Sequence, residues 1–232
     1  MSNFQLNRFS SSKALAKALA AGTGAALSHG IADNRQAILV VSGGRTPLAF
    51  FEALSNIDIN WQAVTIMLAD ERWVPEGDER SNARLVRKNL LQNKAEKARF
   101  AGFYTEGASA EDGARLAGKS LKARTHPFDA VILGLGTDGH TASLFPDAPE
   151  IASALSPNAP PVLAMHPASQ SEPRITLSAR LLRDTRFLAL HIEGVEKHLA
   201  LEEATREGPA WEMPIRAIMR TSTIPMQVYW CP

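Results

Sequence analysis

Gly134-Leu135-Gly136-Thr137-Asp138-Gly139-His140 places three glycines, a carboxylate and an imidazole directly after the apolar run Phe128 to Leu133. Glycine at such a point lets backbone N–H groups approach a ligand that a Cβ would exclude, so Gly136 is a candidate for ligand contact. An unperturbed imidazole, with a pKa of about 6.5, accepts a proton near neutral pH. At the carboxyl end of a strand, His140 therefore suits a general base, with Asp138 two residues away. The plainer reading is a histidine that only caps a loop.

Other strand ends carry polar groups too. Ser42-Gly43-Gly44-Arg45-Thr46-Pro47 follows Ala37 to Val41 and precedes the helical stretch Leu48 to Leu54. A glycine pair there offers N–H groups and the positive end of a helix dipole, and the hydroxyls of Ser42 and Thr46, with Arg45, would complete a phosphate cradle. A tight turn that merely needs glycine is the competing reading. It is not a P-loop, because no Gly-Lys-Ser/Thr follows. Asp70-Glu71-Arg72-Trp73-Val74 ends the run Val64 to Ala69. Asp70, the first residue past that run, is expected to face a cleft; Arg72 could stabilise charge; Glu71 reads as part of a solvated turn with a local ion pair. The polar stretch Pro75 to Arg80 reads as a mobile loop of the kind that covers sites. Arg174, in Pro173-Arg174-Ile175-Thr176-Leu177, starts a strand or helix entry. Lys197 sits in a first helical turn, against the dipole, a conflict that a bound anion would relieve. A lysine reaching into solvent is the alternative.

Gly134-x-Gly136-x-x-Gly139 literally matches the dinucleotide fingerprint, but its context does not. His140 to Phe145 runs into Pro146 and Pro149, so the long helix is missing, and Val162 to Met165 ends at His166 rather than at an acid. No Gly-x-Ser-x-Gly elbow supplies a serine nucleophile. His126 precedes a proline, His166 ends a strand, and His191 and His198 read as structural or exposed, with no spacing that advertises a metal site.

The elements that must position these groups alternate. Helices are expected from Ser10 to about Asp33 (despite Gly22 and Gly24), after the Ser81-Asn82 cap, over Ala110 to Arg124 and over Val195 to Arg206. Strands are expected over 37–41, 64–69, 128–133, 162–165, 187–192 and 226–230. Strands this apolar, alternating with helices, imply an α/β fold: a doubly wound, mostly parallel sheet with helices on both faces, in a single domain over 1–232. The Pro-rich stretch Ser156 to Pro161 is short enough for a loop.

Bulk properties exclude several function classes. Hydrophobic residues make up 45% of 232, enough for a core, and 21% are charged, which argues against global disorder. A net charge of +1 without basic runs argues against a nucleic-acid footprint while permitting a local anion pocket. Cys231 is the only cysteine, so there is no disulfide framework. Residues 1–25 lack a signal peptide's apolar core and no stretch could span a bilayer, so a soluble, cytoplasmic protein without a membrane partner is expected.

Taken in order, Ser42-Gly43-Gly44-Arg45-Thr46-Pro47, Asp70-Glu71-Arg72-Trp73-Val74, Gly134 through Pro146 and Arg174-Ile175-Thr176-Leu177 resemble the 6-phosphogluconolactonase family, which is related to the glucosamine-6-phosphate isomerases (deaminases). The resemblance spans nearly the whole chain. In those isomerases the motif histidine is followed by a segment with Asn-Glu-Pro, whose glutamate joins the proton transfers; here Ser143-Leu144-Phe145-Pro146 stands instead, as in the lactonase branch. The implied reaction is hydrolysis of 6-phospho-D-glucono-1,5-lactone, with no metal, nucleotide or flavin cofactor. His140 would deprotonate the attacking water and Asp138 would orient it or contact substrate hydroxyls. Arg72 would stabilise the oxyanion or the leaving ring oxygen. The resemblance implies that Ser42, Gly43, Gly44, Arg174 and Lys197 hold the 6-phosphate; Arg45, where the family often has serine, adds a contact or faces solvent. An isomerase–deaminase and a non-catalytic sugar-phosphate sensor are the alternatives.

Overall fold

A computed structural model describes residues 3–122 and 124–232. Its centre is a seven-stranded, wholly parallel sheet. In chain order the strands are β1 (Phe4–Arg8), β2 (Ala37–Val41), β3 (Val64–Leu68), β5 (Arg99–Ala101), β6 (Ala130–Leu133), β9 (Leu188–Glu193) and β10 (Met226–Cys231). They lie in the order β1-β10-β9-β6-β2-β3-β5. From β2 the chain winds outward through β3 to β5, then returns to β6 on the other side of β2 and winds outward again. The direction reverses between β2 and β6, the place where a doubly wound sheet leaves a crevice. All four residues of β6 are buried and Leu39, Val40 and Val41 of β2 are fully buried, as strands covered on both faces require.

Helices α1 (Ser12–Asn34) and α7 (Val195–Thr205) pack on this sheet, α2 (Leu48–Ser55) packs on α1, and α3 (Asn82–Asn89) packs on α2. Ser11 caps α1, and the helix continues through Gly22 and Gly24, where Ile57 packs too close to Gly24 to leave room for a Cβ. Ser81 caps α3 as expected, its hydroxyl accepting from Arg84 N at 3.2 Å, an interaction worth about 1 kcal/mol. Of the expected helix Ala110 to Arg124, α4 covers Ala110–Lys122; residue 123 lies outside the described residues and Arg124 is beyond the helix. The short helices α5 (Ile151–Leu155), α6 (Ala179–Leu182) and α8 (Ile215–Thr221) were not expected.

One feature corrects the picture of a single sheet. β4 (Asp70–Arg72), β8 (Arg174–Leu177) and β7 (Val162–Met165) form a separate antiparallel sheet in the order β4-β8-β7. Ala69 joins the two: its N–H donates to Val41 O of the large sheet, and its carbonyl accepts from Leu177 N of the small one. The small sheet therefore hangs beside the carboxyl ends of β2 and β3, and it carries Asp70, Arg72 and Arg174 to the crevice.

Candidate active site

A cleft of about 320 Å³ opens at the β2/β6 reversal. Its first wall is the turn between β2 and α2. Ser42 N donates to Ile132 O of β6 at 3.0 Å, and Gly44 takes φ +94°, a conformation suited to glycine. Behind Gly43 the Asn82 side chain lies so close that a Cβ would collide with it. Ser42, Gly43, Gly44 and Thr46 line the cleft, and the buried Ser42 hydroxyl has no hydrogen-bond partner among the described residues. A buried hydroxyl in that condition is suited to a ligand. Arg45 is exposed and is not part of this lining.

The second wall comes from the small sheet. Asp70 is buried and accepts from Ser143 Oγ at 2.5 Å, while Asn82 Nδ2 donates to its carbonyl at 2.9 Å. Arg72 and Arg174 face each other in register across β4 and β8. Arg174 is only 5% exposed; its Nη2 donates to Gln170, Glu172 lies 3.6 Å away, and its Nε is unpartnered among the described residues. Burial, then the neighbouring Arg72 charge, pushes the Arg174 guanidinium below its ordinary value. Two arginines packed this way are suited to a bidentate anion.

Glu71 departs from the solvated turn expected of it. It is 1% exposed and accepts from the backbone N–H groups of Arg72, Asn82 and Ala83 at 2.8, 2.7 and 2.7 Å, and from Ser81 Oγ at 3.0 Å. Burial pushes its carboxyl up, opposed by these donors. The carboxylate ties the start of α3 to β4, and so fixes Asn82, Asp70 and Arg72 together. The adjoining stretch 75–80 is held at several points: Arg80 pairs with Asp78 at 2.9 Å and Glu172 at 3.1 Å, its carbonyl accepts from Arg72 Nη1, and Glu76 pairs with Arg87.

The third wall is the glycine-rich turn after β6. His140 Nδ1 lies 2.6 Å from Asp138 Oδ1, which also accepts from His140 N at 3.1 Å. Gly136 N donates to His140 O, and a Cβ on Gly136 would collide with both the imidazole and the Asp138 carboxylate. The Phe145 ring stacks on the imidazole, centroids 4.2 Å apart. His140 lines the cleft, whereas Asp138 is outside the lining, its side chain 45% exposed. Partial burial pushes the Asp138 carboxyl up, but the hydrogen bonds and charge of His140 outweigh this and hold it below its ordinary value. An ionised carboxylate that accepts Nδ1–H leaves Nε2 as the basic atom.

The fourth wall joins Lys197, expected from the sequence, to His191 and Glu193, which sequence reasoning missed as lining residues. His191 of β9, taken for structural or exposed, is 3% exposed and lines the cleft beside Glu193 and Lys197. Period-2 alternation puts positions 191 and 193 on one face of β9, but only the sheet order shows that β9 lies beside β6, at the crevice. Lys197 lines the cleft from the first turn of α7. Elsewhere, His198 stacks on Trp230, and His166 sits between Glu150 and Glu111 near the surface. Among the described residues no group of three His, Cys, Asp or Glu side chains is placed to hold a metal ion, and no helix is long and apolar enough to cross a membrane.

A parallel sheet with a carboxylate-held histidine at its reversal point, in a cleft also lined by Arg72, Arg174 and Lys197, defines an α/β protein that brings one imidazole and three cationic side chains to a single site. The chain belongs to the glucosamine-6-phosphate isomerase/6-phosphogluconolactonase family, whose model matches residues 10–230. It is 45% identical to a 6-phosphogluconolactonase of Rhizobium meliloti (strain 1021), over 97% of each chain. It is 43% identical to a 6-phosphogluconolactonase of Pseudomonas aeruginosa, covering 94% of this chain and 90% of the other. The crystal structure of a 6-phosphogluconolactonase from Shewanella baltica OS155 superposes with a TM-score of 0.95 at 39% identity, over 99% of this chain and 98% of that one.

Proposed function

We propose that the protein hydrolyses 6-phospho-D-glucono-1,5-lactone to 6-phospho-D-gluconate, the lactone-opening step of the oxidative pentose phosphate pathway. The observation that carries this reading is His140, tied through Nδ1 to Asp138 at 2.6 Å and lining a cleft whose opposite walls are cationic. Nε2 takes a proton from water as the water oxygen attacks the lactone carbonyl. The tetrahedral intermediate then collapses with cleavage of the bond between C1 and the ring oxygen, and the imidazolium returns its proton to that oxygen. The carboxylic acid product releases a proton to solvent. General-base catalysis of this kind contributes ~10²–10⁴-fold.

Arg72 stabilises the developing oxyanion, and Asp70, held by Ser143, orients the sugar. Ser42, Gly43, Gly44 and Thr46, with Arg174 and Lys197, hold the 6-phosphate and so fix the lactone against the base. The Gly136 backbone lines the lactone side of this arrangement, and Arg45 stays in solvent. Phe145 stands before Pro146, where the isomerase segment carries its glutamate, so proton transfer along the sugar chain lacks that second acid. The chain works as one domain, in the cytoplasm, on a small sugar phosphate and without nucleic acid.

The test is acid release from freshly prepared lactone in a pH-stat, corrected for spontaneous hydrolysis. A rate above background is expected. No rate above background overturns the reading, and ammonia release from glucosamine 6-phosphate would favour the isomerase–deaminase.

A further inference from the structure

We propose that Glu193 is a specificity-determining residue that accepts a hydrogen bond from one ring hydroxyl of the lactone. This deepens the lactonase reading and rests on it. Glu193 ends β9 and lines the cleft, its side chain 27% exposed. Two donors hold one of its oxygens: His191 Nε2 at 3.0 Å and Ser12 Oγ at 2.9 Å, both on Oε1. Among the described residues Oε2 has no hydrogen-bond partner. The carboxylate is thus anchored from behind and presents one acceptor oxygen to the cleft.

The anchor is stiff. The His191 ring is buried and packs edge-to-face on Phe50, with centroids 6.2 Å apart. Burial pushes its imidazolium down, so neutral His191 serves as a donor through Nε2–H rather than as a counter-charge. With Oε1 held by two donors, Oε2 is left able to accept from a ligand donor in the cleft.

The chemistry of the ligand then follows from what a carboxylate can do. It only accepts, so on a phosphorylated lactone it can engage a hydroxyl and nothing else; the phosphate it repels. The cleft thereby sorts the two ends of the substrate. The phosphate is drawn to Ser42, Arg174 and Lys197, while a hydroxyl is read by Glu193 at the end of β9. Lys197, four residues on in the same lining, keeps that wall from being net negative.

The test compares wild type with Glu193→Ala and Glu193→Gln on the parent lactone and on its 2-, 3- and 4-deoxy analogues. Hydrogen bonds from hydroxyls to charged groups imply a loss in kcat/KM of ~10–100-fold for Glu193→Ala on the parent. On one deoxy analogue the same substitution should cost less than about threefold, because the hydroxyl it reads is already absent. Glu193→Gln should keep more of the parent rate than Glu193→Ala, since His191 and Ser12 can hold its carbonyl oxygen and the ligand hydroxyl can accept from the amide left facing the cleft; thermal melts establish that both variants fold. An equal penalty for Glu193→Ala on all four lactones, or none on any, overturns the proposal. A wild type without activity on the parent overturns the lactonase reading itself, so the two failures are distinct.

Discussion

The Phe145 ring lies against the imidazole of His140, with centroids 4.2 Å apart and planes 24° from parallel. The same ring has the Arg174 guanidinium 5.9 Å from its centroid. One apolar side chain therefore touches both the base and a phosphate-binding candidate, and it limits the imidazole to rotation in its own plane, which Asp138 then fixes. Replacing Phe145 by Ala should lower kcat about tenfold, because the stack and its desolvation are lost while the Asp138 contact remains. Phe145→Leu should keep more of the rate. Steady-state kinetics of both variants provide the check, and an unchanged kcat in Phe145→Ala would remove the stack from the account.

Gly136→Ala should abolish activity while leaving the fold intact. The added methyl meets the imidazole and the Asp138 carboxylate rather than the core, so it displaces the base and not the sheet. A lactonase assay beside a urea melt separates the two effects. Retained activity would mean that the imidazole does not act from this position.

Much of this was legible in the sequence, and the remainder was not for identifiable reasons. β2 and β6 are continuous apolar runs and β3 is broken only by Thr65, which is the signature of strands buried on both faces. Their polar ends led directly to Ser42, Asp70 and His140. β1, reading Phe-Gln-Leu-Asn-Arg, is a half-exposed edge strand, and β5 is three residues long, so neither carries that signature. The small sheet was hidden because strand direction and partner are long-range properties: nothing local distinguishes Val162–Met165 from a parallel strand. Glu71 misled because a charged residue in a polar run reads as solvated, whereas the N-terminus of α3 folds over it and supplies its donors. Glu193 escaped notice because its anchor, Ser12, is 181 residues away.

Arg174→Ala should raise KM for the lactone by about 10–100-fold with a smaller change in kcat, as expected for loss of a charge-assisted contact remote from the reacting carbon. Ser42→Ala should do the same more mildly. Inorganic phosphate should compete with substrate in the wild type and lose potency in parallel in both variants. A fall in kcat with unchanged KM would assign Arg174 to the chemical step instead.

Asp138→Asn tests both orientation and linkage. An amide can donate to Nδ1, which favours the wrong tautomer, so kcat should fall by ~10²–10⁴-fold. The folded-state pKa of Asp138 lies below its ordinary 3.8. A depressed carboxyl contributes stability that is present above that unfolded value and lost as pH falls through the folded one. The stability gap between wild type and Asp138→Asn should therefore be full above pH 3.8 and shrink below it, as read by denaturant melts across that range. A gap that is constant or grows with acid would contradict the pairing with His140.

The central claim is that Nε2 of His140 activates water against a lactone carbonyl. Its most direct test is the initial rate of acid release from freshly prepared 6-phospho-D-glucono-1,5-lactone by wild type and by His140→Asn, each corrected for spontaneous hydrolysis, with thermal melts to establish that both are folded. The account expects a wild-type rate well above background and a loss of ~10²–10⁴-fold in His140→Asn. A folded His140→Asn that hydrolyses the lactone as fast as wild type would contradict it.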